Sequence, residues 1–176
     1  KIIGSGFLTS SERLVTASHV VFDSLDTLDQ PKQNLLQLQF DLPIVNPGKL
    51  YCAKMTFQSQ DAERRVRRAE QADFLDDFVV LETTANLPET NYQLAIQPAS
   101  VVMGDRFWTY GFPDNYSDGM DITGEILGPG IPGILQLQGD SAVRHFIERG
   151  YSGSPLWDVE LGGVVAMIVA AEVKGK

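Results

Sequence analysis

Apolar positions along this chain fall in short runs, several alternating with polar ones, and most runs close on Gly, Pro, Asn or Asp. A period of two bounded by turn residues is the signature of a β-strand with one buried face. Ten stretches fit: KIIGSGFLT (1–9), RLVTA (13–17), LLQLQFD (35–41), KLYCAKMTFQ (49–58), DFVVLET (77–83), RFWTYGF (106–112), DITGEIL (121–127), ILQLQ (134–138), SPLWDV (154–159) and GGVVAMIVAAE (162–172). Turn signals such as NPG, GPGIPG and LGG separate several of them. The expected class is all-β. The stretch SQDAERRVRRAEQADFL (59–75) is rich in helix formers, yet RRVRR alternates as an exposed strand would, and a strand or long hairpin is the expectation there. Composition shifts across NLPETNYQLAIQPAS (86–100), which leaves several strands on either side. That division predicts one domain over 1–176 made of two packed barrels or sandwiches, one at about 1–90 and the other at about 100–176.

Composition narrows the function classes. A chain of 176 residues suits one domain with a sizeable core, and 43% hydrophobic with 21% charged residues is ordinary for a globular protein. No apolar run reaches the roughly 18 residues of a membrane span. The formal charge of −9 opposes an electrostatic grip on nucleic acid or anionic lipid, so neither is an expected partner. The arginine-rich ERRVRRAE (63–70) is a local exception, read as a solvated loop or strand edge. Cys52 is the single cysteine, so an intrachain disulfide and a cysteine zinc site are both excluded. Its apolar neighbours make it a small core residue, and a reducing, cytoplasmic setting is expected. No motif calls for a metal, nucleotide or organic cofactor, so none is expected. The chain opens without Met, as a segment of something longer would.

The chemistry gathers at GYSGSP (150–155). A nucleophilic serine needs its hydroxyl exposed at a tight turn, with amides aimed where the substrate carbonyl oxygen becomes negative. Gly150 can turn its amide outward, and with the amide of Ser152 it could form an oxyanion hole. Gly153 is expected to keep the far side of the serine open to an incoming chain. A Gly/Ser turn before a strand spells the same letters. A serine hydroxyl also needs a base, and the two histidines are His19 and His145. His19 lies in TASH, expected at the end of a strand where an imidazole sits at a rim; His145 reads as structural or exposed. The base needs a carboxylate, for which DDFVVLE offers Asp77 or Asp76 on opposite faces of a strand.

In order, GSGFLTSSERLVTASHVV, DDFVVLE, GDRFWTYGFPDNYSDGMDITGEILG and GYSGSPLWDVELGGVVAMIVA resemble the histidine, aspartate, second-barrel hairpin and serine segments of chymotrypsin-fold, trypsin-like serine proteases. The flavour is that of the disulfide-free bacterial members, akin to the high-temperature-requirement proteases. The resemblance implies two antiparallel six-stranded β-barrels with the site in the cleft between them. By matching position it makes His19 the general base, Asp77 its orienter and Ser152 the nucleophile, with the amides of Gly150 and Ser152 as the oxyanion hole. It assigns substrate binding to the segment upstream of the serine, Phe146, Ile147, Glu148 and Arg149, and to the strand Ile168, Val169, Ala170 and Ala171. Phe146 and Ile147 suggest a small or medium apolar side chain before the scissile bond.

Three departures stand out. Tyr151 replaces the aspartate that secreted members pair with a freed N-terminus, which argues against activation through that ion pair. The chain begins at the glycine-led strand and stops at AAEVKGK, so the barrels are expected to be incomplete at both ends, completed by partner segments or cut from a longer chain. The implied function is a serine endopeptidase acting on protein or peptide through an acyl-enzyme, as a module of a larger bacterial protein with flanking domains. The alternative is a silent or trigger-dependent domain that binds peptides. An α/β-hydrolase is disfavoured, because Ser154 stands where the G-x-S-x-G elbow needs glycine and no histidine follows Ser152.

Overall fold

The computed structural model describes residues 2–26, 38–59, 77–84, 86–88, 93–97, 103–114, 116–130, 133–140 and 146–169. The arginine-rich stretch 63–70, Asp76, His145, Ala170 and Ala171 lie outside them. In chain order the elements are β1 (Gly6–Leu8), β2 (Arg13–Thr16), α1 (Ser18–Asp26), β3 (Leu38–Leu42), β4 (Asn46–Gln58), β5 (Val79–Thr83), β6 (Arg106–Gly111), β7 (Met120–Pro129), β8 (Leu135–Gly139), β9 (Pro155–Asp158) and β10 (Gly163–Met167).

The strands make two antiparallel sheets, ordered β1-β2-β5-β4-β3 and β10-β9-β6-β7-β8. Five strands per sheet are present among the described residues, one fewer than the six per barrel expected. Alternation carries each sheet: β2 buries Leu14 and Thr16, β5 buries Val79 and Leu81, and β6 buries Phe107, Thr109 and Gly111. Leu8, Leu14, Val21, Leu38, Ala53, Val79 and Leu81 form one core, and Phe107, Ile122, Ile126, Tyr151, Leu156 and Ile168 form another. Each large side chain so buried contributes roughly 1.5–3 kcal/mol before the entropy of ordering it. Cys52 is only half-buried.

Two expectations about the elements need correcting. Residues 18–26 form a helix, not the tail of a strand, so His19 sits in the first turn of α1. The run HVVF carries a β-like local preference, which tertiary contacts override here: Asp77 caps α1 and Val21 is buried in the first core. The run 162–172 is also shorter than expected, since β10 ends at Met167.

The segment between the sheets ties them together. Leu94 donates its amide to Leu8 O at 2.9 Å, while Val164 bonds both ways with its far end, to Ala95 O at 2.8 Å and from the Gln97 amide at 2.9 Å. Ile96 and Val164 thereby form a parallel bridge at the edge of the second sheet.

Candidate active site

Register explains why His19 and Asp77 meet. β2 pairs with β5 so that Thr16 lies opposite Val79. The chain leaving β2 and the chain entering β5 therefore share one edge of the sheet, with His19 three residues past one and Asp77 two before the other. Asp77 then caps α1. Its carbonyl accepts the Ser18 amide at 3.3 Å, and Oδ1 accepts the His19 amide at 3.1 Å. These are two of the first amides of the helix, which have no partner within it. The other carboxylate oxygen, Oδ2, lies 2.5 Å from His19 Nδ1. One buried aspartate thus holds the backbone and the ring of the same histidine, and the carboxylate sits at the positive end of a helix dipole. Facing a carboxylate, Nδ1 is the donor, and among the described residues Nε2 has no hydrogen-bond partner.

The serine turn is held from several sides. Tyr151 donates its amide to Glu148 O at 3.2 Å, and Gly150, third in that four-residue turn, has φ +106°. A positive φ at the third position is the mark of a type II turn, and it is why glycine stands there. A Cβ on Gly150 would also lie 2.1 Å from Phe112 O. Among the described residues the amides of Gly150 and Ser152 have no hydrogen-bond acceptor. Two uncommitted amides on one tight turn are the donor set that a developing oxyanion needs.

The first sheet reaches this turn through Ser5. Its amide donates to Ser152 O at 2.8 Å, and its hydroxyl donates to Gly150 O at 2.7 Å. Gly4, one residue earlier, is packed between the two parts of the site. A Cβ there would lie 2.5 Å from Val20 Cγ2, next in chain to His19, and 3.0 Å from Ser152 O. Gly153 plays a different part from the one expected of it. Its missing side chain admits the first sheet rather than an incoming peptide, since a Cβ would lie 2.0 Å from Ser5 O and 2.5 Å from Thr16 Oγ1.

His19 and Asp77 are therefore joined, and Ser152 is brought to the same junction through Gly4 and Ser5. The link between Ser152 and the His19 ring is not closed by a hydrogen bond among the described residues. Such bonds are often long before substrate arrives. The residues upstream of the serine divide. Phe146 is 77% exposed, Glu148 and Arg149 are exposed, and Ile147 packs partly into the second core. The Ile168 side chain is buried in that core, and its backbone faces the serine turn, accepting from the Gly153 amide at 2.8 Å and donating to Ser154 O at 2.9 Å. Val169 is half-buried beside it. Sequence reasoning missed the parts played by Ser5 and Gly4; GSG after an apolar pair was visible, but nothing local says that its partner lies at the far end of the chain.

No curated protein matches the chain. Among solved structures it is similar to the serine endoprotease of Yersinia pestis, with a TM-score of 0.60 and 20% identity, over 96% of this chain and 48% of that one. At that identity the likeness speaks for the fold, and the chain spans about half the length of that protease. The family model of the trypsin-like peptidase domain matches residues 4–167, and the chain belongs to that family.

Proposed function

We propose that the chain is a serine endopeptidase in which Ser152 is the nucleophile, His19 the general base and Asp77 its orienter. The observation that carries this reading is the double hold of Asp77 on the His19 amide and ring, which presents Nε2 as a base in one orientation. In the proposed reaction Ser152 Oγ attacks the substrate carbonyl carbon while its proton passes to His19 Nε2. The negative oxygen is met by the Gly150 and Ser152 amides. His19 gives the proton to the leaving amine, and an acyl-enzyme remains. Water then attacks with His19 as base, and the proton returns to Ser152 Oγ as the acid product leaves. Asp77 holds the ring through both halves and balances the imidazolium charge.

Labelling with a fluorophosphonate, together with hydrolysis of a peptide library, tests the reading. Modification of Ser152 that depends on His19, and loss of turnover by roughly 10⁴ to 10⁶ in Ser152→Ala or His19→Ala, is the expected result. An unlabelled Ser152 in a folded protein with no hydrolysis would end it. A second reading, a silent or trigger-dependent domain that binds extended peptides, is favoured by the missing hydrogen bond between Ser152 and the His19 ring. Peptide binding without labelling, or labelling only in a longer chain, would decide for it.

A further inference from the structure

Tyr151 stands between the two residues whose amides form the candidate oxyanion hole, and its side chain points the other way, into the second core, where it is fully buried. Its position is set by two contacts behind the turn, and a third bond there holds the residue before it. The phenol donates to Met120 O at 3.2 Å. The ring lies against Gly111, where a Cβ would come within 2.5 Å of Cδ1 and 2.8 Å of Cγ. The amide of Phe112, next along from Gly111, donates to Gly150 O at 3.1 Å. Gly111 and Met120 are themselves paired across β6 and β7. The tyrosine is thus seated in a slot whose two walls are adjacent strands of one sheet.

A seated Tyr151 constrains the turn. Its amide closes the Glu148 turn, and its carbonyl accepts the Ser154 amide at 2.8 Å. Moving the ring out of its slot therefore disturbs the residues on both sides, Gly150 and Ser152. Burial, followed by the nearby charges of Glu148 and Asp121 and by Tyr110, pushes the phenol up to about 12, so it remains a neutral donor across the physiological range.

We infer that Tyr151 is a built-in positioning residue, a latch that holds the 148–152 turn with its two amides free, and that Gly111 is the slot that receives it. No external charge or new chain end is then needed to order the turn. This inference rests on the peptidase reading for its catalytic consequence, but the latch itself is a property of the fold.

The test compares wild type with Tyr151→Phe, which keeps the ring and loses the donor, and with Gly111→Ala, which obstructs the slot while leaving Tyr151 in the chain. Amide hydrogen exchange is followed at Tyr151, Gly153 and Ser154, whose amides donate within or beside the turn, with β7 and β8 of the same sheet as an internal control. Peptide hydrolysis is measured in parallel. Exchange at the turn is expected to quicken about 10-fold in Tyr151→Phe and more in Gly111→Ala, with β7 and β8 unchanged. The value of kcat is expected to fall by about 10-fold and about 100-fold respectively, with KM within a factor of about two, as for loss of oxyanion donors. Unaltered exchange and kcat in both variants would overturn the latch, and so would equal quickening in β7 and β8, which marks a plain residue of the second core. A wild type that hydrolyses nothing, with the local exchange changes still present in the two variants, upholds the latch and removes the peptidase reading instead.

Discussion

The hydroxyl of Ser5 donates to the carbonyl of Gly150 at 2.7 Å, a buried bond between residues 145 positions apart. Replacing Ser5 by Ala removes it while the Phe112 amide still satisfies that carbonyl, so no acceptor is left bare. The cost is expected to be about 1 kcal/mol of stability. Denaturant unfolding monitored by circular dichroism measures it, and a loss several times larger would mean that Ser5 does more than fasten the turn.

Asp77 serves the helix and the ring together, and two substitutions separate these roles. Asp77→Asn keeps an oxygen for the His19 amide but no longer forces the useful tautomer; hydrolysis is expected to fall roughly 10⁴-fold with stability little changed. Asp77→Ala loses the cap as well, and should add about 1 kcal/mol of destabilisation. Kinetics and thermal unfolding on the same preparations check both.

Gly150→Ala places a methyl group where Phe112 O already is, at a φ that side chains avoid. The turn must open or flip. Turnover is expected to drop roughly 10²–10³-fold, the size of effect seen when an oxyanion donor is removed, while Asp77 still holds His19. The His19 ring proton, followed by NMR, should keep its chemical shift; if it moves, the damage is not confined to the turn.

Alkaline pH probes Tyr151. Folding raises its phenol from an ordinary value near 10 to about 12, so the folded state binds the proton more tightly. The associated stability is fully present below about pH 10 and is lost as pH climbs through about 12. Wild type should therefore lose stability more steeply than Tyr151→Phe between these values, with the other tyrosines cancelling in the comparison. Parallel curves would show that the buried phenol does not titrate with unfolding.

The strands were legible because their information is local. RLVT, VVLET and RFWTYG are short runs of β-branched, aromatic and other apolar residues closed by turn signals, which marks them as strands, although which side of each faces in emerges only from the sheet, where Thr16 and Thr109 are buried and Val80 and Trp108 only half so. The order of the histidine, aspartate and serine segments is legible through the family resemblance, and of those three residues the fold joins His19 and Asp77 by a hydrogen bond. The helix at Ser18–Asp26 was not legible, because the group that caps it lies 58 residues away in Asp77 and its own letters favour a strand. Gly153 was misread for a related reason. A glycine beside a serine suggests access, whereas its actual neighbours, Ser5 and Thr16, belong to the opposite end of the sequence.

The Ser5 clasp also bears on timing. During synthesis the first sheet, with its capped helix and paired imidazole, emerges long before the turn that Ser5 must grip. The bond that fastens the two sheets is therefore among the last contacts the growing polypeptide can make, because its donor and acceptor stand 145 positions apart.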